Sequence, residues 1–360
     1  MKKSIFLIIQ ILYIGLISAQ TPIPGGSISG TWDSIGSPYL IQGETTIPND
    51  SILIIEPGVM VVWQGSYTMH VQGQILAQGT ELDSITFTAE NPSTGFKSIR
   101  FLNTPEGNDT SRFEYCIFKY GRVYGQYPDN CGGAIGALFY SKFIVDHCLF
   151  DHNKATVINI EYPAGGAIAL WTSSPVIRNS KFINNISFYA GAITCWIESH
   201  PIIENNLFTD NSAFRIGGSI FCHHSNPWID HNLFYNNSAQ QDGGAIGLFD
   251  DCSPLIINNT IAHNIAANNG GGIDIFSECS PQIKNNILWG NTANEGNQVY
   301  IWDESCEPDF LYSDLQGGKD SIGGVAVSGE YKGCIDADPL FIGSDTGNYH
   351  LDSLSPCIDT

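Results

Sequence analysis

The feature that most constrains the fold is a two-part phrase that recurs between Cys131 and Asn291. Its first half is G-G-A-I, at Gly132–Ile135, Gly165–Ile168, Ala190–Ile193, Gly217–Ile220, Gly243–Ile246 and Gly270–Ile273. Its second half is F-x-x-N, ending at Asn153, Asn185, Asn211 and Asn237, with aliphatic stand-ins before Asn264 and Asn291. Between them lies S/N-P-x-I-x-N, whose prolines at 175, 201, 227, 254 and 281 step by 26, 26, 27 and 27 residues. A fixed period in this range marks a solenoid, in which no repeat buries its apolar face alone and each must stack on its neighbours.

The short-range pattern selects the kind of solenoid. After each G-G the apolar residues alternate, as in Ile168-Ala169-Leu170-Trp171 and Ile193-Thr194-Cys195-Trp196. Period 2 is strand, and no stretch after residue 20 sustains a 3.6 period long enough for a helix. Leucine-rich, ankyrin and tetratricopeptide arrays are excluded. The remaining architecture is all-β: a single-stranded parallel β-helix with about three short strands per coil. Gly-Gly then supplies a corner with positive φ, each proline opens a strand where no ladder N–H is needed, and Asn185, Asn211, Asn237, Asn264 and Asn291 stack one above another.

With both halves in register, the phrase resembles the repeat of the polymorphic outer-membrane protein family, a bacterial surface-exposed group. That resemblance covers roughly residues 131–291 and implies a right-handed, pectate-lyase-like coil, as does the general preference for right-handed crossovers. Nothing in the chain resembles the family's membrane barrel. Ten or eleven coils are expected.

The rest of the chain fits around this array. Met1-Lys2-Lys3, an apolar run over Ser4–Ile17 and Ser18-Ala19 read as a secretory signal over residues 1–19. Residues 20–128 carry strand-like runs at irregular spacing, including Ser51–Val59 and Val71-Gln72-Gly73, and resemble the cap and opening coils of secreted bacterial β-helix proteins; a separate β-sandwich is the alternative. Regular repeats occupy 129–302. In 303–360, Asp338–Phe341, Asn348–Leu351 and Ser355–Asp359 resemble the closing segment of the same proteins, which usually precedes a sorting module, so a longer natural chain is expected. No later segment is apolar enough to span a membrane, and a monomer outside the cell, or on its outer membrane, is expected. The net charge of −21 becomes −23 once Lys2 and Lys3 leave with the signal. Such a surface speaks against nucleic acid and anionic membrane without a bridging cation, and disfavours polyanionic sugars unless Ca²⁺ bridges.

Ten cysteines in a secreted chain permit disulfides. Cys116 and Cys148 hold matching repeat positions, as do Cys195 and Cys222. At a coil spacing of ~4.8 Å these pairs fall within the Cα range of a disulfide. Cys334–Cys357 is a third candidate; stacked free thiols are the competing reading.

Candidate chemistry gathers on one column. The residue three after each G-G-A-I isoleucine points outward, giving Leu138, Trp171, Trp196, His223, Phe249, Phe276 and Trp302. Asp250, Asp251, Asp274 and Glu278 flank it. An exposed aromatic column beside carboxylates suits a polysaccharide or cell-surface glycan, with an adhesin-like binding role as the leading reading. A lyase or glycoside hydrolase using a pair of those four acids is the alternative, and a ladder that only stabilises the sheet is the third. No cofactor is called for beyond Ca²⁺. Trp228-Ile229-Asp230-His231 resembles the W-I-D-H of pectate lyases, which makes Asp230 a candidate Ca²⁺ ligand. The string also sits in register with the P-x-I-x-N repeat, and the arginine-rich catalytic segment of that family is missing.

Overall fold

The computed structural model describes residues 20–155 and 164–358, so the signal-like segment 1–19 lies outside the described residues. Three parallel sheets of twelve strands each form the body. The first runs from Thr21–Ile23 to Asp314–Leu315, the second from Gly26–Ser27 to Gly323–Gly324, and the third from Gly30–Trp32 to Tyr331–Lys332. Each coil gives one strand to each sheet in turn, which is a parallel β-helix of twelve coils rather than ten or eleven. The sheets run unbroken through residues 30–128, and the segment after 303 supplies final rungs at Asp309–Leu311, Asp314–Leu315, Gly323–Gly324 and Tyr331–Lys332. Neither stretch carries the repeat motif that made the other coils countable.

A fourth, shorter parallel sheet was not foreseen. Its six strands run from Arg122–Val123 through Ile186–Tyr189 and Ser212–Ile216 to Ile265–Ala266. They lie between the F-x-x-N asparagine and the next G-G and form a ledge beside the second sheet.

The core is built of like residues in columns. Phe87, Phe118, Phe150, Phe182, Phe208 and Phe234 stack with ring centroids 4.7–4.8 Å apart and planes within 9° of parallel. That spacing is the strand repeat itself, so in-register pairing delivers offset-stacked rings without further adjustment. Each repeat proline directly precedes a strand of the third sheet, and the carbonyls of Pro175, Pro201, Pro227, Pro254 and Pro281 accept N–H bonds from the next coil.

The two glycines of G-G do different work. The first adopts φ of 62–73° at Gly132, Gly165, Gly217, Gly243 and Gly270, and Ala190 takes the same place at φ 52°. The second allows close approach: a Cβ on Gly166 would lie 2.1 Å from the carbonyl oxygen of Gly191 in the next coil.

The asparagines stack as expected, with side-chain amides 2.9–3.0 Å apart from Asn153 through Asn185, Asn211, Asn237 and Asn264 to Asn291. A second ladder runs through Asn206, Asn232, Asn259 and Asn286 at 3.0–3.1 Å. Each of these residues directly follows the last position of S/N-P-x-I-x-N.

The disulfide expectation is corrected. All ten cysteines are free, including Cys116, Cys148, Cys195, Cys222, Cys334 and Cys357. Cys195 and Cys222 are register partners, but parallel in-register side chains keep their Cβ atoms near the ladder spacing of ~4.8 Å, wider than the ~3.8 Å a disulfide prefers. The thiols bond elsewhere. Cys116 Sγ donates to the Ala77 carbonyl and Cys148 Sγ to the Phe113 carbonyl, both at 3.3 Å. Cys334 Sγ meets the Phe310 carbonyl at 3.3 Å and Cys357 Sγ the Asp314 carboxylate at 3.1 Å. Thiol titration of the denatured, unreduced protein should therefore read ten groups, and dithiothreitol should leave the melting temperature unchanged. A reading two or more groups short would restore a disulfide.

After the last coil, Phe341–Gly343 and Asn348–Leu351 pair antiparallel and fold back along the body. Tyr349 packs there against Tyr235 and His263, at centroid distances of 5.1 and 6.0 Å.

Candidate functional site

The outward column of the second sheet forms as its spacing implies. Leu138, Trp171, Trp196, His223 and Phe249 are register partners in successive strands, followed by Phe276. Ring centroids step by 5.6 Å from Trp171 to Trp196, 4.7 Å to His223, 5.9 Å to Phe249 and 4.5 Å to Phe276; Trp302 then meets Phe276 edge-on at 5.4 Å.

Exposure differs from expectation. Leu138 is buried, the rings from Trp171 to Phe276 are half-buried, and only Trp302, 37% exposed, stands well clear. The ledge explains this. Tyr189 stacks on Phe221 at 4.7 Å and meets Trp196 edge-on at 5.9 Å, while Tyr127 covers Trp171 at 4.7 Å. A ligand at the upper rings would meet their edges, because their faces stack on one another, and Trp302 offers the most exposed ring of the column.

Beside the lower rings the ledge gives way to a cleft of about 370 Å³, lined by Arg215, Gln241, Asp242, Asp274, Phe276 and Trp302 among others. On the neighbouring outward column, one place after each G-G-A-I isoleucine, Gly247 lets the ledge pack close, since a Cβ there would strike Ile216 Cγ2 at 2.3 Å. One coil on, the same column holds Asp274, which is 1% exposed. Trp302 Nε1 donates to Asp274 Oδ1 at 2.8 Å. Across the cleft Asp242 Oδ1 accepts from the Asn269 backbone N–H at 3.2 Å and from Asn269 Nδ2 at 3.0 Å. Arg215 donates to the Tyr189 hydroxyl and to Gln241 Oε1, the latter at 3.2 Å.

Burial pushes both carboxyls up. The Asp274 pKa lies well above the ordinary value, through desolvation first and the nearby Asp242 charge second, against the bond from Trp302. Asp242 is raised by desolvation, against its two bonds from Asn269 and the Arg215 charge. The arrangement is a carboxyl whose protonated form burial favours, beside a second carboxyl in an aromatic-walled cleft, a combination also found in sites that deliver a proton to a leaving group.

The four candidate acids do not form one group. Asp274 faces the cleft, before its ring Phe276 in the strand, whereas Asp250, Asp251 and Glu278 follow the rings. These three adopt φ of 54°, 49° and 55° in the turn out of the sheet and sit on the opposite rim. Asp242 and Arg215 were missed. Asp242 had a readable signal, because it precedes G-G, a place held by Cys131, Ala164, Tyr189 and Ile216 in earlier coils. What that place faces depends on the ledge.

On the turn side, His223 Nε2 lies 3.4 Å from Asp250 Oδ2, and the His223 and His224 rings meet edge-on at 4.3 Å. One ligand atom from each of His223, His224 and Asp250 lies within 4.8 Å of the others. His223 Nδ1 is buried without a hydrogen-bond partner among the described residues. Burial holds the His223 pKa below the usual imidazole value, helped by His224 and opposed by Asp250. Asp230 lies elsewhere, in the third sheet in register with Glu204 and Ile257, accepting from Asn258 Nδ2 at 2.9 Å and paired with His231. That is a repeat position in a turn network, with no group of three metal-ligating side chains around it among the described residues.

The buried Asp274 carries a pH signature. In the unfolded chain its carboxyl ionises near pH 4, while the folded state holds the proton to higher pH. The unfolded state then binds fewer protons, so this residue erodes stability as pH rises above ~4 towards the folded-state pKa. Asp274→Asn should stabilise the protein by about 1–3 kcal/mol at pH 7, and the gain should vanish near pH 3. Denaturant titrations at the two pH values test this, and a gain independent of pH contradicts it.

Among the described residues no helix is long and apolar enough to cross a membrane. No curated protein and no solved structure matches the chain. Residues 105–261 match the family model described as a right handed beta helix region. Taken with the three parallel sheets, this makes the chain a right-handed parallel β-helix repeat protein.

Proposed function

We propose that the chain is an extracellular, adhesin-like protein that binds a neutral or weakly charged polysaccharide along the aromatic column. The observation that carries this reading is the run of rings from Trp171 to Trp302 ending at the acid-lined cleft. Sugars offer one apolar face and a rim of hydroxyls. The face stacks on Trp302, and the hydroxyls bond Arg215, Gln241 and the carboxyls, the mix of apolar wall and few polar groups typical of ligand clefts. The net charge of −21 disfavours anionic chains, and the signal-like residues 1–19 support a place outside the cell.

The Asp242–Asp274 pair favours a second reading, hydrolysis. A protonated Asp274 beside Asp242 supplies the general acid and second carboxyl that glycosidic cleavage requires. One panel separates the two. Neutral polysaccharides are run in affinity gels against the native protein, Trp302→Ala and Asp274→Asn, and the same mixtures are assayed for new reducing ends with and without Ca²⁺. Retardation that Trp302→Ala weakens about tenfold, the size of one interface hot spot, supports binding. Reducing ends that appear with the native protein and not with Asp274→Asn support hydrolysis. Neither retardation nor cleavage across the panel removes both readings.

A further inference from the structure

We infer that His223, His224 and Asp250 form a binding site for one divalent transition metal of the Zn²⁺ class, set into the middle of the aromatic column. The argument starts from a residue that stacking alone does not explain. His223 occupies a place held by Trp171, Trp196, Phe249 and Phe276 in the other coils, and it stacks between Trp196 and Phe249 as those rings do. Phenylalanine would serve that purpose at lower cost, because imidazole leaves Nδ1 buried without a partner. What imidazole adds is Nε2, directed to the side where Asp250 and His224 converge.

The geometry suits a metal better than a hydrogen bond. His223 Nε2 and Asp250 Oδ2 are 3.4 Å apart, too long for a strong charge-assisted contact of ~2.8 Å. It is close to the ~3.3 Å edge of a tetrahedron built from bonds of ~2.0–2.1 Å. The third ligand atom is within 4.8 Å of both, and His224 is exposed, so rotation of its ring closes that gap. Two imidazoles and one carboxylate suit Zn²⁺, Co²⁺ or Fe²⁺ and do not suit Ca²⁺ or Mg²⁺, which take oxygen ligands. Three protein ligands leave a coordination position for water or an oxygen of a bound molecule, open to solvent on the His224 side. The site differs from the Asp242–Asp274 cleft and does not depend on the glycan reading.

The test uses the full chain stripped with chelator and titrated with ZnCl₂ by calorimetry and with CoCl₂ by visible absorption. His224→Ala changes an exposed side chain, His223→Phe keeps the stacked ring, and Asp250→Asn keeps the turn; His231→Ala is the control for the other Asp–His pairs. One equivalent of Zn²⁺ with tetrahedral-type Co²⁺ absorption is expected. Each of the three ligand variants should weaken binding on the order of a hundredfold, at or above what outer-shell changes cost, and the control should bind as the native chain does. No saturable binding, or binding retained in His224→Ala and His223→Phe, overturns the proposal.

Discussion

Gly244→Ala is expected to cost more than about 4 kcal/mol, at the extreme of single-substitution effects, and to abolish soluble folded protein. A Cβ at Gly244 would sit 2.1 Å from the Gly271 carbonyl oxygen and 2.7 Å from the backbone of Ile265. Every one of these atoms is backbone, and none can move without opening a rung. The Gly244 N–H donates to the Gly270 carbonyl at 2.9 Å, and the Gly271 N–H to Gly296 at 3.3 Å. Relief in one coil therefore displaces the next. The neighbouring Gly243→Ala meets a milder contact, since a Cβ there would lie 2.6 Å from the Ile246 carbonyl oxygen of its own coil. Gly243 has φ 64°, and Ala190 already fills the equivalent place at φ 52°. The penalty there should exceed the ~1–2 kcal/mol of a left-handed alanine and stay below that at Gly244. Denaturant titration followed by circular dichroism measures both, and equal costs would mean that the coils part more easily at this corner than their contacts imply.

Asn237→Ala is expected to cost about 3–5 kcal/mol. Asn237 Nδ2 donates to the Phe208 carbonyl at 2.9 Å, the Tyr235 carbonyl at 3.1 Å and Asn264 Oδ1 at 2.9 Å. Its Oδ1 accepts from the Asn211 backbone N–H at 3.1 Å and Asn211 Nδ2 at 3.0 Å. Asn211, Asn237 and Asn264 are fully buried, so water cannot replace the lost partner, and each stranded group costs ~1–3 kcal/mol. The sum stays below simple addition because one defect is shared by a connected network. Asn236→Ala next door gives the scale: that residue is exposed, with φ 56°, and should lose only the ~1–2 kcal/mol of alanine in a left-handed turn. Asn237→Asp should fare no better than alanine at neutral pH, since a carboxylate would face two carbonyls and the Asn264 amide oxygen. If Asn237→Ala matched Asn236→Ala, the ladder would be ornament rather than support.

Both effects trace to residues that the repeat makes visible. G-G-A-I and F-x-x-N recur because the axial spacing admits no side chain at one corner and demands an amide at another. A chain obliged to repeat a constraint every coil writes it into its sequence every coil. The same logic placed Trp171, Trp196, His223, Phe249 and Phe276 in one column, since period 2 within a strand and a fixed step between strands leave no freedom. Residues 20–128 and 303–332 entered the same sheets with less warning, because terminal coils keep the strand pattern while dropping the motif, and one or two coils were lost from the count.

The cleft was legible only in part. Asp274 could be placed beside the ring column, but its burial could not, because the cover comes from the ledge, whose strands are as short as Ser238–Ala239 and carry no pattern of their own. Asp242 and Arg215 reach the cleft from that ledge, and Asp250, Asp251 and Glu278 leave it through a turn that carries them to the other rim. The cysteines mark the same boundary: their register was readable, but whether two stacked thiols bond depends on Cβ directions. What the amino-acid order determined alone was the parallel coil, its core columns and the face that carries the rings. What the tertiary structure decided was which acids share a cleft, which rings lose their exposure and where His223 points. The first set repeats along the axis and is overdetermined by every coil. The second arises from contacts across the ledge and the turn, made once and with partners distant in sequence.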